Sequence, residues 1–179
     1  MPVSDQIETE RLRIRPFRPD DWPAVLAYSA DEATMHYLDE PVMTEERARA
    51  WTAEQAGPEV RAVALVVKPD DTPVGLLVFH LWFALRTYEI GWVVRPDVRG
   101  NGHTTEGARA LIQYAFDALN THRVIATCQP ENSASWRVMD KLGMRRGAHF
   151  RQCIARDDGT WWDEYFYAVL AEVWNLGSQ

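Results

Sequence analysis

One stretch of the chain combines the residue types that hold phosphate oxygens: Glu89-Ile90-Gly91-Trp92-Val93-Val94-Arg95-Pro96-Asp97-Val98-Arg99-Gly100-Asn101-Gly102-His103-Thr104. An apolar run ends at Pro96, a glycine-rich loop follows, and the pattern predicts a helix from near Thr104 or Thr105. Gly100 and Gly102 let the backbone approach a ligand and adopt dihedrals barred to other residues. The first amides of a helix have no intrahelical partner and carry the positive end of its dipole, which suits phosphate oxygens. The same residues also read as a plain strand-to-helix turn. Two nucleotide readings fit poorly. A triphosphate loop ends in Gly-Lys-[Ser/Thr], and this loop has no lysine; a dinucleotide fingerprint needs a third glycine where Thr105 stands.

The elements that must position this loop follow from periodicity. Leu12 and Ile14 alternate with Arg11, Arg13 and Arg15 as a half-buried first strand. Pro19-Asp20-Asp21-Trp22-Pro23 begins a helix with an Asp cap and proline in the first turn, and Thr44 before Glu45-Glu46 begins another helix. Strands are expected over 63–67, 74–81 and 88–94, the first two joined by a turn at Asp70-Asp71-Thr72. Ala108, Leu111, Ile112, Ala115 and Leu119 make one helical stripe. Val124 to Cys128 reads as a buried strand. Ala134, Val138, Met139 and Leu142 read as a short helix closed by Gly143. Phe150 to Arg156 and Trp161 to Leu170 form a hairpin about Asp157-Asp158-Gly159. The order β-α-α-β-β-β-α-β-α-β-β gives a mixed α/β (α+β) sheet in one domain over 1–179, not the alternation of a dinucleotide fold.

Bulk properties exclude several classes. A net charge of −7 opposes nucleic acid, whose binding rests on phosphate neutralisation. No apolar run reaches the roughly 20 residues of a membrane span. Met1-Pro2-Val3-Ser4-Asp5 lacks the basic and apolar regions of a signal peptide, and Cys128 and Cys153 make no disulfide framework. A cytoplasmic protein is expected. No ligand cluster with metal spacing is present, so no metal is expected.

A second stretch, Pro130-Glu131-Asn132-Ser133-Ala134-Ser135-Trp136-Arg137-Val138-Met139-Asp140-Lys141-Leu142-Gly143-Met144, resembles the N-x-A-S-x-x-x-x-x-K-L-G-F pattern of the GNAT acetyltransferases, with Met144 for Phe. The loop above resembles their R-x-x-G-x-G/A coenzyme A motif through Arg99 and Gly102. Glu8-Thr9-Glu10-Arg11-Leu12-Arg13-Ile14-Arg15, His122-Arg123-Val124 and Asp158-Gly159-Thr160-Trp161-Trp162-Asp163-Glu164-Tyr165 resemble the branch that acetylates ribosomal-protein N-termini (RimJ/RimL-type). The resemblance implies a splayed, mostly antiparallel sheet of six to seven strands flanked by helices. It implies acetyl-CoA as cosubstrate between the 88–94 and 124–128 strands. Pantetheine would pair with the backbone of Trp92, Val93 and Val94. The pyrophosphate would lie on the amides of Arg99, Gly100, Asn101, Gly102, His103 and Thr104. Asn132 would hold the pantetheine, Ser135 would lie near the thioester sulfur, and Lys141 would reach the adenosine phosphate unless it is simply solvated.

The chain departs from the family at three places. Thr104 stands for Gly or Ala, Gly147 stands where a catalytic Glu is common, and Leu81-Trp82-Phe83-Ala84-Leu85 is apolar where relatives are polar. That apolar loop suggests an acceptor pocket or a homodimer face. Only a neutral amine attacks a thioester. At pH 7 a lysine amine is neutral in about one part in 2,500, a cost of roughly 4.6 kcal/mol, whereas an α-amine costs only about 1.4 kcal/mol. A protein or peptide N-terminus is thus the expected acceptor; a small amine and a non-catalytic acyl-CoA-binding module are the alternatives. Glu89 is the expected base, through a water, unless it merely pairs with an arginine. Ser135 would protonate the thiolate or only hydrogen-bond at its helix start. His36, His103 and His122 read as structural or solvated rather than catalytic, and Cys128 as a buried apolar residue. Arg95, Arg99, His103 and Arg109 are the cations expected around the coenzyme phosphates.

Overall fold

The computed structural model describes residues 6–38, 41–57 and 60–176. Met1 to Asp5, read above as lacking a signal peptide, lie outside them. Eight strands form one sheet: β1 (Ile7–Glu8), β2 (Leu12–Arg15), β3 (Ala62–Val67), β4 (Pro73–Leu81), β5 (Thr87–Val94), β6 (Arg123–Cys128), β7 (Arg145–Ala155) and β8 (Trp161–Leu170). Their order is β1-β2-β3-β4-β5-β6-β8-β7. Every pair is antiparallel except β5 with β6. Among the described residues six α-helices accompany them: α1 (Trp22–Ser29), α2 (Glu32–Met35), α3 (Glu45–Gln55), α4 (His103–Ala118), α5 (Ser133–Lys141) and α6 (Ala171–Leu176).

The strand count corrects the expected six to seven. A two-residue strand at Ile7–Glu8 is too short to leave a periodic pattern, and only its pairing with Ile14 and Arg13 reveals it. β7 also begins at Arg145 rather than Phe150. Its outer half is exposed on the sheet edge, so no apolar alternation marks its start. Two register shifts break its pairing with β8. The turn of helix at Glu32–Met35 was not expected either.

Each face of the sheet carries its own core. On one face Leu111, Ile112, Ala108 and Ala115 of α4 are fully buried against Leu65, Leu77 and Ile90. The larger of these side chains contribute about 1.5–3 kcal/mol each by burial, which holds α4 in place. On the other face α1 and α3 pack Val25, Tyr28, Ala48 and Trp51 onto Ala62, Ala64 and Leu76. Thr44 caps α3 as expected, its hydroxyl accepting the Arg47 amide at 3.3 Å. Gly143 closes α5 with a positive φ of 70°. Asp21 precedes α1 but makes no side-chain cap. Its carboxylate takes the buried Arg15 guanidinium at 2.7 and 2.9 Å instead, because a bidentate charged pair outweighs one cap bond.

Candidate active site

β5 and β6 run side by side only briefly. Their pairing joins Thr87, Tyr88 and Glu89 to Arg123, Val124 and Ile125 and then stops, although β5 continues to Val94 and β6 to Cys128. The two strands therefore part, and one edge of β5 over 90–94 has no strand beside it. A cleft of about 380 Å³ occupies that gap. Trp92, Val93 and Val94 form one wall, and Asn132, Ser135 and Lys141 from the start and face of α5 form the opposite wall.

The glycine-rich loop closes one end. Gly100 and Gly102 have φ of 81° and 80°, a conformation that favours glycine, and Gly102 stands immediately before α4. The first intrahelical bond runs from the Glu106 amide to the Gly102 carbonyl at 3.0 Å, so the His103, Thr104 and Thr105 amides precede the helical ladder. Thr104 and Thr105 line the cleft beside Arg99, Gly100 and Gly102. Asn101 and His103 do not line it. The Asn101 amide turns back to the Val98 carbonyl at 3.4 Å, and the buried Nδ1 of His103 has no hydrogen-bond partner.

The charges on this cleft are one-sided. Arg99, Arg137 and Lys141 line it, and among the described residues its wall carries no carboxylate, in a chain of net charge −7. Arg99 donates to the Val94 carbonyl at 3.1 Å and to the Thr34 hydroxyl at 2.6 Å, which ties the loop to α2. Two cations expected here sit elsewhere. Arg95 is engaged by Asp97 at 2.6 and 2.9 Å, and Arg109 donates to the Lys141 carbonyl at 2.7 Å. The sequence reading missed Arg137. Ala134, Arg137, Val138 and Lys141 share one face of α5 at helical spacing, and that periodicity was the available signal.

Asn132 caps α5, its side-chain oxygen accepting the Ser135 amide at 3.2 Å. That leaves the Asn132 amide nitrogen and the Ser135 hydroxyl available to the cleft. Cys128 is 5% exposed, and burial, with Glu164 nearby, pushes its thiol up to about 12. Such a thiol is no nucleophile near neutrality.

Glu89 does not line this cleft; it lies four residues before Val93 on the same face of β5. Burial raises its carboxyl above the ordinary range, the neighbouring His80 counteracts this, and Glu164 adds to it. Among the described residues no arginine bonds to it, and the imidazole of His80 lies 3.7 Å from its Oε2. His80 lines a second cavity, of about 480 Å³, under α1 and α3. Val93 and Leu38 line both cavities, so the two meet there. Around the β4–β5 turn, Trp82 packs at a tilt against Phe83 and reaches Phe166, while Phe83 and Leu85 are exposed.

Two cavities thus meet at a parted strand pair, one of them lined by cations and helix-start residues. A model of the acetyltransferase (GNAT) domain matches residues 11–145, and the chain belongs to the GNAT family of acyl-CoA-dependent N-acetyltransferases. It is 45% identical over 169 residues to the uncharacterized N-acetyltransferase YnaD of Bacillus subtilis (strain 168), covering 94% of this chain and 99% of that one. The crystal structure of a GNAT-family acetyltransferase from Bacillus anthracis superposes with a TM-score of 0.89 at 43% identity, covering 94% and 99% of the two chains. Mycobacterium smegmatis RimJ in complex with CoA-disulfide shares the fold alone, with a TM-score of 0.79 at 23% identity over 96% of this chain and 90% of that one. No helix among the described residues is long and apolar enough to cross a membrane, and they include no group of side chains fit to hold a metal ion.

Proposed function

We propose that this chain transfers the acetyl group of acetyl-CoA to a primary amine, and that the amine is the N-terminal α-amine of a protein or peptide. The observation that carries the coenzyme half is the cation-lined, carboxylate-free cleft at the parting of β5 and β6. The residues present fit the coenzyme. The amides opening α4 and the side chains of Arg99, Arg137 and Lys141 hold its phosphates, and the exposed edge of Trp92, Val93 and Val94 takes pantetheine, with Asn132 opposite. The thioester then lies toward Val93, where the second cavity begins.

In this reading the acceptor enters the second cavity and its neutral nitrogen attacks the thioester carbonyl directly. A backbone amide near Val93 or Val94 stabilises the charge on the carbonyl oxygen. Ser135, on the cleft wall, gives its hydroxyl proton to the departing thiolate. The carboxylate of Glu89, beside His80, helps to draw off the amine's proton. The α-amine is favoured because it needs about 3 kcal/mol less deprotonation than a lysine side chain, and the chain lacks a Glu at Gly147 that would add a second base. The likeness of the opening strand and closing hairpin to ribosomal-protein N-acetyltransferases supports the same acceptor.

A second reading, a small-molecule amine, draws on the size of the acceptor cavity, about 480 Å³, which admits a compact molecule whole. Release of free thiol from acetyl-CoA, screened across free-N-terminus peptides and small amines, separates the two. Peptides turning over with kcat/KM at least tenfold above every small amine support the first; the reverse order establishes the second. Exposed Phe83 and Leu85 make the β4–β5 turn the proposed contact of a homodimer, which sedimentation of wild type against Phe83→Lys tests.

A further inference from the structure

The floor of the second cavity is a ladder of cross-strand pairs. Leu76 faces Val93, Val78 faces Gly91 and His80 faces Glu89, all on one side of the β4–β5 ribbon. Leu76, Val78, His80 and Val93 all line the cavity. Rungs on one face of a strand are about 7 Å apart. The Val93 rung meets the coenzyme cleft, and the His80–Glu89 rung lies two steps away. An acceptor resting on the Val78–Gly91 rung thus has the thioester on one side and His80 on the other. Gly91 carries no side chain to block that middle rung.

His80 is prepared for a proton. Its Nδ1 lies 3.3 Å from the Leu81 carbonyl, an oxygen that only accepts, so Nδ1 carries the hydrogen and Nε2 keeps its lone pair. Nε2 is the atom nearest Glu89, 3.7 Å from Oε2. This is an imidazole oriented by a carbonyl at one nitrogen and backed by a carboxylate at the other. Histidine is the side chain whose charge most readily changes near neutral pH. The other charged groups here are Glu164 of β8, which acts on Glu89, and Arg61 with the Arg47–Glu54 pair of α3, which line the cavity. Tyr28 also lines it, but burial holds its hydroxyl protonated.

We infer that His80 is the first proton acceptor for the amine, and that Glu89 serves it by stabilising the imidazolium. This rests on the acetyl-transfer reading above. The N–H bond of the ammonium breaks as the Nε2–H bond forms. The neutral amine then bonds to the thioester carbon, the C–S bond breaks, and the thiolate takes the Ser135 proton. The amide nitrogen's second proton replaces it on Ser135, and the imidazolium releases its own proton to solvent. Nothing beyond amine and acetyl-CoA is consumed.

The test uses the whole protein with the best amine of a panel holding Ala-Ala-Ala, Ser-Ala-Ala, spermidine and 2-phenylethylamine. His80→Gln should lower kcat/KM for that amine by at least about thirtyfold and remove the acid limb of its pH profile, with the acetyl-CoA Kd within twofold of wild type. Glu89→Gln should lower kcat about 10²-fold by removing the support of the imidazolium, again with the acetyl-CoA Kd within twofold of wild type. His80→Ala should regain at least fivefold activity in added imidazole, a rescue that a merely structural histidine would not show. If His80→Gln turns over within threefold of wild type with an unchanged profile, or imidazole fails to rescue His80→Ala, the assignment falls while acetyl transfer stands. If wild type binds acetyl-CoA but releases no thiol with any amine of the panel, the transfer reading fails and takes this one with it.

Discussion

At the β2 edge of the sheet, Arg13, Arg15 and Arg18 converge on Glu8, Asp21 and Asp71. At the parting of β5 and β6, Arg99, Arg137 and Lys141 converge on a wall that carries no carboxylate among the described residues. Both regions gather cations near strand ends. In the first, every guanidinium meets a carboxylate, and the pair Arg15–Asp21 is sealed from water at 3% and 8% exposure. In the second, positive charge and helix-start amides face open space. Charges that satisfy one another fix the fold. Charges held together without a counter-charge store a potential that only a ligand relieves, and their mutual repulsion is sustained by the rigid elements that carry them.

That contrast predicts where substitutions act. Asp21→Ala leaves the buried Arg15 charge without its bidentate partner and should cost about 3–5 kcal/mol of stability in chemical denaturation. The acetyl-CoA Kd of the folded fraction should not change; a variant that stays as stable as wild type would break the contrast at its strongest point. Glu89→Gln comes next and acts in the other currency: kcat should fall about 10²-fold, with acetyl-CoA affinity and melting temperature held. A fall below threefold removes Glu89 from the proton transfer.

Arg99→Ala should weaken acetyl-CoA binding by about 1–3 kcal/mol in calorimetry, and most of the loss should persist in about 0.5 M salt because the contact is short-range. A loss that vanishes in salt would mean that Arg99 only shapes the field and the amides of α4 hold the phosphates. Gly102→Val forces a β-branched residue to a φ of 80° and should raise the acetyl-CoA Kd at least tenfold, about 1.4 kcal/mol. An unchanged Kd would remove this loop from the coenzyme site.

The smallest effect concerns Asp71, whose carboxyl the guanidinium of Arg18, followed by Arg13 and Arg15, lowers to about 2. Its folded value lies below the unfolded one of roughly 3.9. Its contribution is therefore fully present above pH 4 and is lost as pH falls through about 2. In Asp71→Asn, denaturation midpoints should decline less steeply between about pH 4 and 2 than in wild type. A pH dependence identical in the two proteins would show that the β2 cluster is less coupled than its geometry implies.

The sequence determined most of the architecture because the signals involved are local. Ala108, Leu111, Ile112 and Ala115 repeat at helical spacing, Thr44 caps the helix it was expected to cap, and Gly143 ends another at positive φ. The loop from Arg99 to Gly102 and the start of α5 at Asn132 were legible for the same reason, since each motif is contiguous and its glycines or caps have few conformations to choose from. The strand Ile7–Glu8 and the start of β7 were not legible, because an edge strand is defined by its partner rather than by its own pattern. The site's charges show the same limit. Arg95, Arg99 and Arg109 look alike in sequence, yet Asp97 takes the first, the cleft keeps the second, and a carbonyl of α5 takes the third. His80 drew no notice at all: it becomes chemical only when the β4–β5 register sets it against Glu89. Helix faces and turns follow from neighbours in sequence, but the balance of charge in a cleft is a sum over residues that only the packed chain brings together.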